Sequence, residues 1–255
     1  MQAFLDTIVT ITGDAVEIPR KHFRAGVDII HKSDATPVTV ADQATEDFIR
    51  AALIRAYPDH GILGEEFPER AANGPYQWII DPIDGTRAFI SGMPLYGMLA
   101  GLLKDGIPTL GVVRMPELDE VYAGDGTITT LNGDQVLKVS TTTDLGQAML
   151  YINEADKMMR ADPAVFARLN KAARDRRFSY DCYPHALVAA GHVDACVDYD
   201  LKPYDILPLV PIITGAGGVI SDWQGQPLGL NSDGRVATAA TPALHAQLLE
   251  LLNRD

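Results

Sequence analysis

Trp78-Ile79-Ile80-Asp81-Pro82-Ile83-Asp84-Gly85-Thr86 is the stretch of sequence that says most about the fold. It predicts an apolar strand that ends in two carboxylates, followed by the start of a helix. Pro82 fixes its own φ and keeps the preceding residue extended, so Asp81 and Asp84 can be turned toward one point. The carboxylates suit a hard cation such as Mg²⁺, and the backbone N–H groups that follow suit an anion. Asp, Pro and Gly are also ordinary turn and cap residues, so the stretch alone leaves that simpler interpretation open.

Composition describes an ordinary globular chain. Its 255 residues are 47% hydrophobic, which is enough for a substantial core in one large domain or two closely joined halves. The formal net charge of −13 argues against nucleic acid or an anionic membrane surface as a partner, since both require a concentrated basic face. A divalent metal or a cationic substrate group would fit that charge, although solubility alone also explains it.

Cysteine usage and the N-terminus indicate a cytoplasmic enzyme. Cys182 and Cys196 do not form a C-x-x-C pair, so we expect reduced, partly buried thiols rather than a disulfide framework or a zinc site. The N-terminal residues show no secretory signal pattern, and no segment approaches the ~20 apolar residues of a membrane span.

Hydrophobic periodicity predicts an α/β layered fold with two sheets. A first helix carries Phe4, Ile8, Ile11, Ala15 and Ile18 and ends or bends near Pro19. A second runs from about Val40 to Tyr57, with Asp42 near its first turn and one face formed by Ala41, Ala44, Phe48, Ala51 and Ala52. Short apolar runs at 61–64, 77–80, 95–103 and 107–113, with a hairpin at Asn132-Gly133, predict a largely antiparallel meander.

After about residue 145, strands and helices alternate. Strands are expected at 149–151, 194–198, 219–221 and 236–238, and helices at 163–174, 184–190 and along the leucines of 244–252. A further helical pattern begins at Asp205, but Pro208 and Pro211 leave its register open.

Acidic residues recur where predicted strands end. Glu65 and Glu66 follow the run that ends at Gly64, and Asp205 opens a helix after the strand 194–198. Each acid taken alone is equally well explained by solvent exposure or helix capping. Their joint recurrence is what indicates a shared site.

Four segments together resemble the inositol monophosphatase family of metal-dependent phosphatases, and the resemblance covers nearly the whole chain. They are Gly64-Glu65-Glu66, Trp78 to Thr86, Tyr204-Asp205 and Gly215-Ala216-Gly217-Gly218-Val219, in the family's order and spacing. The resemblance implies an α/β (α+β) fold, the five-layer αβαβα sandwich. It further implies a single domain over 1–255, with a metal-binding half at 1–145 and a half at 146–255 that carries the specificity residues. A homodimer is also expected.

The resemblance assigns metal ligands position by position. One metal would be held by Glu65, Asp81 and the backbone carbonyl of Ile83, and a second by Asp81, Asp84 and Asp205, so that Asp81 bridges them. A weaker third Mg²⁺ beside Glu65, which Asp42 would approach through water, gives two or three Mg²⁺ per site, with Mn²⁺ as an expected substitute. Tyr204 stands where the family usually has Trp and retains a flat aromatic ring.

The implied reaction is hydrolysis of a small-molecule phosphate monoester by metal-activated water. Thr86, hydrogen-bonded to Asp42, would orient the attacking water beside Glu65. Gly85 and Thr86 would offer backbone N–H groups to the phosphate at the helix N-terminus. The mechanism requires no phosphoenzyme nucleophile and no histidine, and Li⁺ inhibition is a further expectation.

Residues of the second half favour L-histidinol phosphate, and therefore a role in histidine biosynthesis. Tyr180-Asp181-Cys182-Tyr183 and the run 198–205 resemble bacterial histidinol-phosphate phosphatases more than inositol phosphatases, and 87–92 leans the same way. Asp198 occupies the position of a substrate-binding acid, and Asp181 would add a second. Two carboxylates suit an ammonium and an imidazole better than a neutral polyol. A surface or capping role for Asp181 stays open, and Ser179-Tyr180 departs from the small residues more usual there.

Two alternatives remain at this stage. The first is an inositol-1-monophosphatase or a broad sugar-phosphate phosphatase. The second is a regulatory, protein-binding member of the fold, against which the intact set of Glu65, Asp81, Asp84, Thr86 and Asp205 argues.

Overall fold

The computed structural model describes residues 1–26, 29–31, 37–179 and 181–254. Its helices are α1 (Gln2–Ala15), α2 (Glu17–His22), α3 (Val40–Ala56), α4 (Thr86–Ser91), α5 (Ala155–Ala161), α6 (Pro163–Ala172), α7 (Tyr183–Ala189), α8 (Pro203–Ile206), α9 (Leu209–Gly215) and α10 (Pro242–Leu252). Its strands are β1 (Ile29–His31), β2 (Pro37–Thr39), β3 (Gly61–Gly64), β4 (Tyr76–Asp84), β5 (Gly97–Lys104), β6 (Ile107–Met115), β7 (Glu120–Gly124), β8 (Thr129–Leu131), β9 (Gln135–Val136), β10 (Met149–Asn153), β11 (Asp175–Ser179), β12 (Ala195–Asp198), β13 (Val219–Ser221) and β14 (Val236–Ala239).

The larger sheet has seven strands and confirms the predicted meander. Its strand order is β3-β4-β5-β6-β7-β8-β9, and only β3 runs parallel to its neighbour. The hairpin at Asn132-Gly133 is also confirmed, because Leu131 pairs with Gln135 across it. This pairing leaves the three residues 132–134 in the loop, and Asn132 and Gly133 both have positive φ, 54° and 84°.

The second sheet has five strands in the order β11-β10-β12-β14-β13. The first three are parallel, whereas β14 runs antiparallel to both of its neighbours. The edge strand β11 and the helix α5 were not predicted. Four of the five residues of β11 are exposed, so that this strand has no apolar pattern from which it could be recognised.

Successive side chains of β4 point to opposite sides of the larger sheet and therefore contact different layers. Trp78 and Ile80 pack against α1 and α3, whereas Ile79 faces the opposite side, toward α7, α9 and the second sheet. The far side of the second sheet packs against α6 and α10. Fully burying side chains of this size contributes about 1.5–3 kcal/mol each, so a register slip of one residue would be costly. The resulting order helix, sheet, helix, sheet, helix confirms the predicted five-layer sandwich.

The buried face of α3 differs from the expected one. Ala51 is exposed, and Ala44, Phe48 and Ala52 are only partly buried. The fully buried residues of this helix are Ala41, Asp42, Thr45, Glu46, Ile49 and Leu53. The prediction was wrong because it searched for an apolar stripe, whereas three polar side chains of this helix are buried.

Two helix boundaries are also revised. The first predicted helix ends at Ala15, and α2 begins at Glu17 and contains Pro19. The helical pattern from Asp205 is divided into α8 and α9, with Pro208 between them. Within the described residues, no helix combines the length and the apolar character that crossing a bilayer requires.

Candidate functional site

The site begins at the end of β4, where the strand passes from apolar to acidic residues. Asp81 is two residues beyond Ile79 and shares its side of the sheet, so its carboxylate faces the middle layer of the sandwich. The register against β5 shifts between Asp81 and Asp84, which breaks the strict alternation there. Asp81 is 2% exposed, and its Oδ1 accepts a hydrogen bond from the Ile83 backbone N–H at 3.0 Å.

Asp81, Asp84 and Asp205 converge in a tight cluster. One carboxylate oxygen of each lies within 4.8 Å of the other two. Asp205 comes from α8, where its Oδ2 accepts a hydrogen bond from the Lys202 backbone N–H at 2.7 Å. Residues 81 and 205 thus meet only because α8 lies against the end of β4.

Burial and mutual repulsion raise the pKa of all three carboxyls. For Asp81, burial is the largest cause, and the charges of Glu65, Asp84 and Asp205 add to it. For Asp84, burial leads and the charges of Asp181 and Asp205 follow. Burial raises the pKa of Asp205 to about 7, against the opposing effect of its hydrogen bond from Lys202. The cluster therefore stores electrostatic repulsion that a cation would relieve.

The donor set fits a hard divalent cation. Carboxylate oxygens are the ligands that Mg²⁺ prefers, and three of them this close together match a shared ion better than three separate protons. Asp81, Asp84 and Asp205 would hold it. The carbonyl of Ile83, also expected as a ligand, accepts a hydrogen bond from Thr86 Oγ1 at 3.3 Å.

Glu65 lies just beyond β3, on the neighbouring strand end. Within the described residues it is not a member of the tight three-carboxylate cluster. Its charge nevertheless raises the pKa of Asp42, Asp81 and Asp205, so Glu65 lies near the same acids. The structure therefore places it as a neighbour of the cluster.

Asp42 connects the helix α3 to Thr86. Its Oδ2 accepts hydrogen bonds from the Thr39 backbone N–H at 2.8 Å and from Thr39 Oγ1 at 2.6 Å. Its Oδ1 accepts a hydrogen bond from Thr86 Oγ1 at 3.3 Å. Asp42 is fully buried, and burial is the main cause of its raised pKa. Thr86 is thereby held between a carboxylate and the Ile83 carbonyl.

Gly85 lies where the segment after β4 comes close to the segment that carries Asp181. Its φ of +89° lies in the left-handed region, and a Cβ on it would lie 2.7 Å from Asp181 Cγ. The same two segments are joined by a hydrogen bond, which the Cys182 backbone N–H donates to Asp84 Oδ2. Only glycine accommodates both the backbone angle and the close approach.

Asp198 is buried beside the segment that carries Asp181. Its Oδ1 accepts a hydrogen bond from the Tyr199 backbone N–H at 2.8 Å, and its Oδ2 accepts one from Asn153 Nδ2 at 2.7 Å. The same Asn153 amide donates to the Asp181 carbonyl at 3.0 Å. Asp198 is 1% exposed, whereas Asp181 is only partly buried.

His185 completes this buried network. Its Nε2 lies 3.2 Å from Asp198 Oδ2, and its Nδ1 lies 2.9 Å from Thr238 Oγ1. Both ring nitrogens of His185 thus face buried polar side chains, whereas His192 is exposed. Both cysteines are free and buried, which agrees with the expected thiols.

Asp181 has charged neighbours that sequence reasoning missed. Burial is the main cause that raises its pKa to about 7, followed by the charges of Glu154 and Asp198, while Arg87 opposes the shift. Glu154 is itself buried and pairs with Lys157 Nζ at 2.7 Å. Asn153 and Glu154 follow the apolar run of β10, so the strand-end rule that found Asp81 could have found them as well. Tyr180, part of the segment that resembles histidinol-phosphate phosphatases, lies outside the described residues.

Comparison with known proteins identifies the surrounding fold and sequence. The whole chain, residues 1–255, matches the profile of the inositol monophosphatase family. A chloroplastic bifunctional phosphatase (IMPL2) of Arabidopsis thaliana is 39% identical over 246 residues, which is 92% of this chain and 71% of the relative. A histidinol-phosphatase of Chlorobaculum parvum is 36% identical over 84% of this chain and 83% of its own length. The solved structure of an inositol monophosphatase from Zymomonas mobilis is 35% identical, superposes with a TM-score of 0.88 and shares 98% of each chain.

Proposed function

This chain belongs to the inositol monophosphatase family and is a metal-dependent phosphatase of that family; from that premise we propose that its substrate is L-histidinol phosphate, which it hydrolyses to L-histidinol and phosphate. The observation that carries the reaction is the convergence of Asp81, Asp84 and Asp205 within 4.8 Å. We propose Mg²⁺ as the physiological cation, two or three per site, held by these acids together with Glu65 and the Ile83 carbonyl.

The surrounding residues have separable tasks in this proposal. A divalent cation, when bound, neutralises the charge of the phosphate and acidifies water. Thr86 Oγ1 has a single proton, which it donates to Asp42 or to the Ile83 carbonyl, and its lone pairs can then accept from the attacking water. In this proposal Glu65 receives a proton from that water. The N–H groups of Gly85 and Thr86 bind the phosphate.

The substrate assignment is supported by the acid beside Gly85 and by relatives named histidinol-phosphatase. Asp181 faces the phosphate-binding glycine, so a substrate whose phosphate lies there would carry its ammonium or imidazole toward Asp181. A cationic group would also relieve the repulsion that Asp181 experiences from Glu154 and Asp198. We propose that Asp181 contacts the substrate and that Asp198 acts by holding Asn153 and the Asp181 backbone.

A phosphate-release panel tests the substrate. It compares L-histidinol phosphate, inositol 1-phosphate, fructose 1,6-bisphosphate and adenosine 3′,5′-bisphosphate at one Mg²⁺ concentration. We expect the highest kcat/KM on L-histidinol phosphate. Strong turnover of inositol 1-phosphate with none of histidinol phosphate would make the protein an inositol phosphatase, and no turnover of any ester would favour a regulatory, protein-binding role.

The role of Asp181 has its own comparison. Asp181→Asn should raise KM for L-histidinol phosphate at least about tenfold, which is the loss expected for one charge-assisted contact. It should change KM little for inositol 1-phosphate, whose alcohol part carries no positive charge. Asp175→Asn, at an exposed position on the edge strand β11, is the matched control. Equal effects of Asp181→Asn on both esters would remove Asp181 from substrate selection.

Three further properties belong to the same proposal. Exhaustive chelation should abolish activity, and Mg²⁺ or Mn²⁺ should restore it. Li⁺ is expected to inhibit, and light scattering is expected to show a homodimer. We also propose a cytoplasmic location, which cell fractionation would test.

A further inference from the structure

A buried ion pair on α3 lies beside the site without belonging to the acids described above. Arg50 Nε donates a hydrogen bond to Glu46 Oε1 at 2.7 Å, and the two side chains are 11% and 0% exposed. Removing two charges from water costs several kcal/mol, so a buried pair is weak evidence for stability alone. The other contacts of the two side chains indicate a different purpose.

Both side chains hold the same short backbone segment, residues 65–67. Glu46 Oε2 accepts a hydrogen bond from the Glu66 backbone N–H at 2.7 Å. Arg50 Nη2 donates one to the Phe67 carbonyl at 3.0 Å, and the guanidinium lies 5.8 Å from the centre of the Phe67 ring. The pair therefore holds the backbone immediately after Glu65 at two successive residues.

Gly64 provides the space for this contact. A Cβ built on Gly64 would lie 2.5 Å from Glu46 Cδ and would collide with its Oε1. The absent side chain lets the Glu46 carboxylate lie directly against the end of β3. The glycine before Glu65 is thus explained by packing, since its φ is not positive.

The same helix face reaches the other side of the site. Asp42, Glu46 and Arg50 are separated by four residues each and therefore lie along one side of α3. Asp42 binds Thr86, while Glu46 and Arg50 bind the segment after Glu65. One rigid helix thus sets the separation between Thr86 and the backbone that carries Glu65.

We propose that Glu46 and Arg50 are positioning residues that fix Glu65 relative to the carboxylate cluster and thereby set the affinity of the site for divalent cations. This inference rests on the proposed function, because Glu65 matters here as a metal ligand. Groups that orient metal ligands typically contribute 10- to 100-fold to metal affinity, so an effect of about tenfold or more is expected.

Three variants disturb the contact in different ways. Glu46→Gln removes the charge that pairs with Arg50. Arg50→Lys keeps the charge but loses the planar fork that reaches Glu46 and Phe67 together. Gly64→Ala keeps both charges and displaces the Glu46 carboxylate. The matched control is Glu250→Gln. Glu250 forms an exposed ion pair of the same i,i+4 spacing with Arg254, 3.1 Å apart, near the end of the described residues.

Titration calorimetry of Mn²⁺ into the metal-free protein measures the effect without relying on turnover, and thermal melting identifies the variants that remain folded. We expect the Kd for Mn²⁺ to rise about tenfold or more in Glu46→Gln and Gly64→Ala and by a smaller factor in Arg50→Lys. The Kd of Glu250→Gln should not change. Turnover should recover substantially in these variants when Mg²⁺ is raised. The double variant Glu46→Ala/Gly64→Ala should bind Mn²⁺ about as well as Glu46→Ala, because the Cβ then has room.

The outcomes separate this inference from the proposed function. If the folded variants bind Mn²⁺ within twofold of the wild type while melting at lower temperature, the pair is only structural and the inference fails. If the wild type itself binds no Mn²⁺, the metal-dependent mechanism fails, and the inference that rests on it fails with it. Should Glu46→Gln not fold, Arg50→Lys and Gly64→Ala decide, since both variants keep the two opposite charges on α3.

Discussion

At the scale of single residues, Asp84 offers the most direct test of the cluster. Asp84→Asn keeps the shape of the side chain, and the amide oxygen can still accept the hydrogen bond from the Cys182 N–H. What is lost is one negative charge among three. We expect turnover to fall by orders of magnitude, as measured by phosphate release, with an unchanged circular dichroism spectrum. Asp105→Asn, at an exposed turn, controls for the chemical change; near-wild-type activity of Asp84→Asn would reject the metal assignment.

Gly85 tests the close approach of the two halves of the site. Gly85→Ala combines an unfavourable φ of +89° with a contact of 2.7 Å to Asp181 Cγ. Gly106→Ala is the matched control, because φ is +80° and no atom lies within 4 Å of the added Cβ. Both variants should lose about 1 kcal/mol of unfolding free energy through the backbone. Only Gly85→Ala should also lower kcat/KM, by at least about tenfold.

The comparison is made by urea unfolding and by steady-state kinetics. Equal kcat/KM for the two glycine variants would show that Asp181 moves aside at no cost. The contact between Gly85 and Asp181 would then have no part in the reaction.

At the scale of elements, the N-terminus of α3 has two tasks. Thr39 Oγ1 accepts a hydrogen bond from the Ala41 N–H and also donates one to Asp42. Thr241 caps α10 in the ordinary way, accepting from the Leu244 N–H at 3.2 Å, in a part of the fold where none of the site acids lies. Replacing either threonine by Ala should cost about 1 kcal/mol of stability.

Thr39→Ala should in addition reduce kcat, because Asp42 loses a partner that orients it toward Thr86. Thr241→Ala should leave kcat unchanged. Thermal melting and phosphate release on both variants check this, and an equal kcat in the two would show that Asp42 is held sufficiently by the remaining contacts.

At the scale of the whole molecule, pH and metal should act on stability together. In the metal-free protein the pKa values of Asp181 and Asp205 are raised from 3.8 to about 7. The folded state therefore holds protons that the unfolded state releases, so this contribution to stability is present at low pH and is lost as pH rises through about 7. We expect Tm of the metal-free protein to fall between pH 5.5 and 8.

Saturating Mg²⁺ should reverse that trend, because the cation competes with protons for the same carboxylates. Its effect on Tm should be larger at pH 8 than at pH 6, by several degrees for a chain of this size. Differential scanning calorimetry at both pH values is the measurement, with Asp205→Asn as the variant in which the pH slope should shrink. A metal-free Tm that rises from pH 6 to pH 8 would contradict the prediction.

Both sheets also share one central core. Ile79 and Leu99 of the larger sheet pack in the same cluster as Cys196 and Val236 of the second. We therefore propose that 1–145 and 146–255 are halves of one domain. Unfolding of the two halves in a single transition would support this, and two resolved transitions would refute it.

The sequence by itself determined the layers and the acids at the strand ends. Hydrophobic periods of 2 and 3.6 residues indicate which side of a strand or helix is apolar, and they depend only on neighbouring residues. For this reason β4, the hairpin at Asn132-Gly133 and α10 could be predicted from the sequence. Asp81, Asp84, Glu65 and Asp205 stood out because each interrupts or follows such a pattern. The weakly patterned elements, β11 and α5, were missed for the same reason.

Only the tertiary structure decided how the buried polar groups are satisfied. Nothing in the sequence distinguishes Glu46 from a solvent-facing residue, but in the structure it accepts a hydrogen bond from the Glu66 N–H. Asn153 likewise donates hydrogen bonds to Asp198 and to the Asp181 carbonyl. Such partners lie 20 to 45 residues apart in the chain and leave no local pattern. The cost of burying an unpaired polar group is what holds these contacts in place, and it applies only when the layers come together.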